Sequence, residues 1–93
     1  MRFYVLWLQL VSAWAGYYEF NKLDCNAIIG AHPAIPNFFI STGYSGHGLQ
    51  HSPAAGRAIT ELILDGKFTT LDLSKFSFDR VIRNEPYTEL AII

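Results

Sequence analysis

This chain is short of charge. Of its 93 residues only 16% are Asp, Glu, Lys or Arg, against about 25% in an average globular protein. A small domain has proportionally more surface to solvate than a large one, so a deficit here implies that apolar surface is covered by something else, a partner or the rest of a larger protein. The net charge of −1 and the lack of any basic stripe exclude an electrostatic footprint for nucleic acid. The single cysteine, Cys25, excludes an internal disulfide framework and a cysteine-built zinc site. No N-x-[ST] sequon occurs. No apolar run approaches the ~20 residues a membrane-spanning helix needs.

What is present is apolar and aromatic: 51% hydrophobic residues, 15% of the chain being Phe, Trp or Tyr. The N-terminus supports two readings. Arg2, the run from Phe3 to Leu8 and then Ala13-Trp14-Ala15 imitate a signal peptide with its cleavage site, which would make this a small secreted protein. Gln9 interrupts the run, however, and its aromatic content suits a buried strand better. On the second reading residues 3–20 form one or two extended segments, with Gly16 as a bulge or close-approach point.

Downstream, Ala27-Ile28-Ile29-Gly30 reads as a short strand, His32 to Asn37 as a proline-bounded loop with His32 exposed, and Asn37 to Thr42 as a second strand. A helix follows, with Ser52 as N-cap, Pro53 at its first position and Gly66 just past its end. Ala55, Ala58, Ile59, Leu62 and Ile63 recur at helical spacing and give it one apolar face, which Gly56 and the alanines allow to approach a sheet closely. Arg57, Glu61 and Asp65 read as a solvated edge. From Lys67 onward the chain reads as an irregular surface wrap ending in a weak Leu90-Ala91-Ile92-Ile93 segment.

Between the second strand and the helix lies Gly43-Tyr44-Ser45-Gly46-His47-Gly48-Leu49-Gln50. Strand, glycine-rich loop, helix is the layout by which a backbone approaches a ligand, since glycine removes the Cβ barrier to positive φ. The helix then points unpaired N–H groups and its positive end back toward the loop. The spacing G-x-x-G-x-G reverses the dinucleotide fingerprint and lacks the Lys-Ser/Thr of a P-loop, so spacing alone equally allows a flexible glycine turn. His47 and His51 lie four apart, but the glycines and Pro53 place His47 before the helix, and no acidic neighbour completes a metal site. Trp14, Tyr17 and Tyr18 form either an aromatic wall over a planar cofactor or plain strand packing. Asp24 beside Cys25 would raise the thiol pKa rather than activate it.

The Gly43-Tyr44-Ser45-Gly46-His47-Gly48 string closely resembles the glycine–histidine segment near the C-terminus of the D-amino-acid-oxidase-like family of FAD-dependent amine oxidoreductases. The spacing to Asp24, to Ile28-Ile29-Gly30 and to Leu64-Asp65-Gly66 fits as well, and the likeness runs from about Ser12 to the end. Ala13-Trp14-Ala15-Gly16-Tyr17-Tyr18 and Asp72-Leu73-Ser74-x-Phe76 resemble a mitochondrial branch linked to respiratory complex I assembly. The resemblance implies an α/β (α+β) fragment, the C-terminal part of a two-domain protein with a FAD-binding and a substrate domain. Residues 1–36 would end the substrate-domain sheet, with 1–11 outside the family pattern. Residues 37–66 would return through strand, glycine loop and helix to the FAD-binding domain, and 67–93 would be a tail. The family's G-x-G-x-x-G pyrophosphate site is not found in this chain, which is therefore expected to be part of a longer flavoprotein and inactive alone.

By the same resemblance Gly43, Ser45, Gly46, His47, Gly48, Leu49 and Gln50 would bind FAD, the last five facing the flavin pyrimidine ring. Small amines or amino acids would be the substrates, and complex I subunits potential partners. Two departures matter. Sarcosine-oxidase-type members carry a lysine where Gln50 stands, one that helps hold a substrate carboxylate. Several also tether the flavin through a cysteine at the position of Tyr17, so FAD here is expected to be non-covalent.

Overall fold

The computed structural model describes residues 8–89. Residues 8–20 have no regular secondary structure, and Leu8, Leu10, Val11, Trp14 and Tyr17 stand in solvent. The strands expected across 3–20 are thus not formed over the described part, and Phe3 to Trp7 lie outside it. The physical reason is partnership. Strand preference measures side-chain packing on neighbouring strands, and the one sheet among the described residues is two-stranded, its members paired with each other. Gly16 has no neighbour near enough to make it a close-approach point.

The sheet is an antiparallel hairpin of β1 (Ile28–His32) and β2 (Ile35–Thr42), joined by a turn at Pro33-Ala34. Ile28 pairs with Thr42, Ile29 with Ser41, Gly30 with Ile40 and Ala31 with Phe39, and then the register slips so that His32 faces Ile35. The second strand therefore begins before Asn37. Pro36 falls in the slipped stretch, where its missing N–H costs no ladder bond. His32 is not an exposed loop residue. It ends β1, accepts the Ala34 N–H at Nδ1 over 3.1 Å, and stacks on Phe78 with ring centroids 5.3 Å apart.

Helix α1 spans Gly48–Asp65 and so starts well before Pro53, which lies inside it. Proline cannot donate to the Leu49 carbonyl one turn back. The Ser52 hydroxyl does so instead, at 3.1 Å, and this local substitute lets the helix run through the proline. Ser52 is consequently no N-cap. The other end is as expected: Gly66 adopts φ 74° and its N–H closes on the Leu62 carbonyl at 3.1 Å. Ala55 and Ala58 are buried, and Ala55 packs with Ala27 and Ile29 as the centre of a small core flanked by Tyr44, Ile59, Leu73 and Phe76. Ile63 is exposed and Gly56 meets nothing, so the close approach to the sheet belongs to the alanines alone.

The tail is more ordered than its sequence suggests. A 3-10 turn at Ser74–Phe76 packs on β1, and helix α2 (Asp79–Ile82) follows. Leu90 to Ile93 lie outside the described residues. The Cα radius of gyration is 17.7 Å, where a compact chain of this length would have about 12 Å. Among the described residues no large side chain is fully buried. The thin core and the exposed aromatics are what the shortage of charge leads one to expect. The described residues form an α/β (α+β) arrangement of one hairpin and its helices.

Candidate functional site

The loop from β2 to α1 is built on left-handed backbone. Gly43, Ser45 and Gly46 have φ of 74°, 52° and 92°, a region that costs a residue with a Cβ roughly 1–2 kcal/mol. At Gly43 the need is for the positive φ, since a Cβ there would stand in ordinary contact, 3.4 Å from that of Asn21. Ser45 tolerates the conformation because its polar groups are used inward. Its Oγ accepts the Asn21 N–H at 3.0 Å and its own N–H reaches the Glu19 carbonyl at 3.1 Å. The Tyr44 N–H reaches the Glu19 carboxylate at 3.3 Å. Ser45 is buried by these contacts. Its side chain holds the loop shut and does not face outward.

The outer side of the loop carries the rest of the predicted residues. Gly46 is exposed, with the Tyr18 ring on one flank, 3.5 Å from where a Cβ would sit. His47 is the N-cap residue of α1, Gly48 abuts Tyr44, and Leu49 and Gln50 extend into solvent. No side chain caps this end and its first turn holds no acidic residue. The first N–H groups of α1 therefore keep their partial positive charge unneutralised. Such an end attracts an anion or an electron-rich ring edge.

Beside this terminus lies a cavity of about 420 Å³, lined by residues that include Cys25, Ile29, His47, Gln50, His51 and Phe76. Of the predicted site residues only His47 and Gln50 reach it. His47 and His51 stack with centroids 5.8 Å apart and planes 20° from parallel. Among the described residues no group of three or more His, Cys, Asp or Glu is arranged to hold a metal. Trp14 and Tyr17 build no aromatic wall, and of that trio only Tyr18 approaches the loop.

Sequence reasoning passed over the residues that support the loop. Asp24 does not act with Cys25. Its carboxylate is buried and bound by Arg80, with Nε to Oδ2 at 2.7 Å and an Nη2 bond to Oδ1 at 3.2 Å. The N–H groups of Tyr87 and Asn26 add bonds at 2.9 and 3.1 Å. Burial pushes this carboxyl up, but the Arg80 hydrogen bond, those two N–H groups and the guanidinium charge outweigh it, and the group ends below its ordinary value. Glu61 likewise is no solvated edge. It is buried and receives Thr69, Thr70 and Arg57. The acceptors are visible in sequence, but Arg80 lies 56 residues from Asp24, and Thr69 and Thr70 follow Glu61 across the end of the helix, at no helical spacing.

The chain matches the profile of the family described as FAD dependent oxidoreductase over residues 2–62, a stretch that begins upstream of Ser12. It is 55% identical over 86 residues to FAD-dependent oxidoreductase domain-containing protein 1 of Xenopus laevis, covering 92% of this chain and 17% of that protein. The Drosophila melanogaster homolog is 56% identical over 82 residues, 88% of this chain and 16% of the homolog. Monomeric sarcosine oxidase of Bacillus sp. (strain B-0618) is 39% identical over 72 residues, 77% of this chain and 18% of that enzyme. The chain thus spans less than a fifth of the length of these curated relatives. No solved structure matches it significantly. With a profile that takes in well over half of its residues, the chain belongs to the FAD-dependent oxidoreductase family.

Proposed function

We propose that the loop Gly43–Gln50 is one wall of a non-covalent FAD site, and that the protein to which it belongs oxidises a C–N bond of a small amine or amino acid. The carrying observation is the uncapped N-terminus of α1 behind a left-handed glycine loop whose surface is exposed at Gly46, with the Tyr18 ring on one flank. That surface fits the group. A flat ring edge can approach the backbone there, and the exposed N–H groups suit the electron-rich pyrimidine side of a flavin. Bound there, FAD would supply the capacity to accept a hydride from the carbon next to nitrogen. The residues Gly46, His47, Gly48, Leu49 and Gln50 orient it and favour negative charge on its pyrimidine edge, while Ser45 and Gly43 hold the loop's shape. Relatives named sarcosine oxidase and N-methyl-L-tryptophan oxidase support the amine class of substrate. On this reading residues 1–36 belong with a substrate domain, 37–66 with a FAD-binding domain and 67–93 with a tail, in a mitochondrial setting.

A second reading has one observation in its favour. Gln50 is neutral, and α1's first turn offers no charged side chain to hold a substrate carboxylate. A flavoprotein-like assembly factor for respiratory complex I, without turnover, accommodates that. Titrating riboflavin and FAD into the chain while following amide resonances tests the first reading. Perturbations concentrated on Gly46 to Gln50 are expected. Perturbation centred away from α1's N-terminus refutes it. Assaying the parent flavoprotein with sarcosine and related N-methyl amines then separates the readings, because turnover rules out a purely structural role.

A further inference from the structure

The tail holds the glycine loop through a continuous run of polar contacts. Arg80, from α2, places its guanidinium against Asp24, with side-chain exposures of 6% and 0%. The same guanidinium also reaches the carbonyls of Ser77 at 2.9 Å, Asn26 at 3.0 Å and Ala27 at 2.8 Å. Asp24 in turn accepts the Asn21 side-chain amide at 3.2 Å, and that amide also reaches the Asn26 carbonyl at 2.7 Å. Asn21 fills the next link. Its backbone N–H donates to Ser45 Oγ at 3.0 Å, and its Cβ lies 3.4 Å from where a Cβ on Gly43 would stand. Every member is at least half-buried and every bond is made, which is the condition under which a polar network specifies one geometry rather than several.

We propose that Asp24 and Arg80 are positioning residues for the cofactor loop, acting through Asn21 on Ser45 and Gly43. The proposal rests on the flavin reading above for its functional meaning, though its structural content stands alone. Arg80 is suited to the task because its planar fork engages a carboxylate and three carbonyls together, which a lysine cannot reproduce. The tail from Ser77 to Tyr87 is thereby coupled to the loop proposed to meet the cofactor.

Three variants of the full chain test this: Arg80→Lys, Asn21→Ala and, as a control, Arg83→Gln. Arg83 lies just past α2 and makes only exposed pairs with Asp79 and Glu85 at 3.7 and 4.0 Å. Arg80→Lys and Asn21→Ala should each displace the amide resonances of Gly43, Ser45 and Gly46. The double variant should displace them no further than the larger single change, because both cut one path. The control should leave them in place. Flavin affinity should fall in parallel, by roughly 2- to 30-fold, the range for residues that act through a packed network. Loop resonances that stay fixed while those of residues 22–27 move would overturn the proposal. Asn21→Ala spares the Asp24–Arg80 pair and decides the matter if Arg80→Lys does not fold. Should the parent flavoprotein carrying the same changes keep its flavin affinity while the loop resonances move, the cofactor reading fails and the coupling of tail to loop stands.

Discussion

The Thr70 hydroxyl lies 2.6 Å from the Glu61 carboxylate, and the N–H groups of Thr69 and Thr70 reach the same side chain at 2.9 and 3.2 Å. A single carboxylate on α1 thus gathers the chain that has just left the helix at Gly66 and folds it back along the helix side. Arg57 at 3.0 Å, one turn earlier, supplies the compensating charge. The contact explains why the segment after Gly66 can run toward the 3-10 turn without any regular structure of its own.

Glu61 should make stability depend on acid. The Thr70 hydroxyl first, then the Thr69 N–H, hold its carboxyl well below the ordinary 4.5, against the opposing effect of burial. A depressed carboxyl contributes stability above its unfolded value and loses it as pH falls below that value. The contribution should therefore be complete at neutral pH and decline progressively under pH 4.5. Glu61→Gln, which keeps an acceptor and removes the charge, should lower the thermal midpoint at pH 7 and flatten its decline toward pH 3. Parallel midpoint–pH curves for the two proteins would show that the carboxylate is not the group responsible.

Gly56, midway along α1, and Gly66, just past its end, should respond oppositely to alanine. Gly66 sits at φ 74° with open space around it, so Gly66→Ala meets backbone strain and no clash. A loss of about 1–2 kcal/mol is expected. Gly56 has ordinary helical geometry and nothing within contact distance, so Gly56→Ala should gain roughly 0.5–1 kcal/mol by limiting the unfolded chain. Urea denaturation of both variants measures the difference directly, and equal shifts would contradict the assigned backbone conformations.

Pro53 offers a third test. The Ser52 hydroxyl replaces the bond that proline withholds from the Leu49 carbonyl, but that repair leaves proline's steric conflict with the preceding turn in place. Pro53→Ala should raise helicity and stabilise the chain by up to about 3 kcal/mol. Ser52→Ala should be nearly silent in the Pro53→Ala background and costly in its absence. Additive effects of the two changes would mean that the hydroxyl serves some other purpose.

These residues also mark what could be read from sequence. Gly66, the alanine stripe and the glycine loop are local signals: each follows from backbone geometry or helical period within a few residues, and each lies where expected. Pro53 misled because its rule concerns one lost N–H, and the Ser52 repair is a side-chain contact that no propensity records. The segment from Leu8 to Phe20 misled differently. Its aromatic and β-branched residues are suited to a strand, yet strand formation needs a neighbouring strand, and composition does not say whether one exists. Asp24 and Glu61 look like surface carboxylates until Arg80 and Thr70 are placed beside them, 56 and 9 residues away along the chain. Long-range polar pairing has no periodicity and leaves no trace in a single sequence. The loop's outer face was therefore legible, and the network beneath it was not.

The Asp24–Arg80 pair yields the last expectation, in which two effects oppose each other. Arg80→Met leaves a buried carboxylate without its guanidinium, a loss of roughly 3–5 kcal/mol for a broken buried pair. Replacing both partners with apolar residues often restores such losses, but here it should do so only in part, because Asp24 also accepts the N–H groups of Tyr87 and Asn26. An apolar residue in place of Asp24 would orphan those donors. The acid response separates the contributions. In the unaltered chain burial raises the Asp24 carboxyl, and Arg80 and the two N–H groups more than offset it, so its stabilisation holds above the ordinary 3.8 and fades below. Without Arg80 burial is less opposed and the carboxyl should take up its proton at higher pH. Arg80→Met should therefore begin to unfold earlier in an acid titration followed by circular dichroism, while Asp24→Asn should lower stability at neutral pH and remove this part of the acid dependence. An Arg80→Met chain that resists acid as well as the parent would mean that the two backbone N–H groups, and not the guanidinium, keep Asp24 ionised.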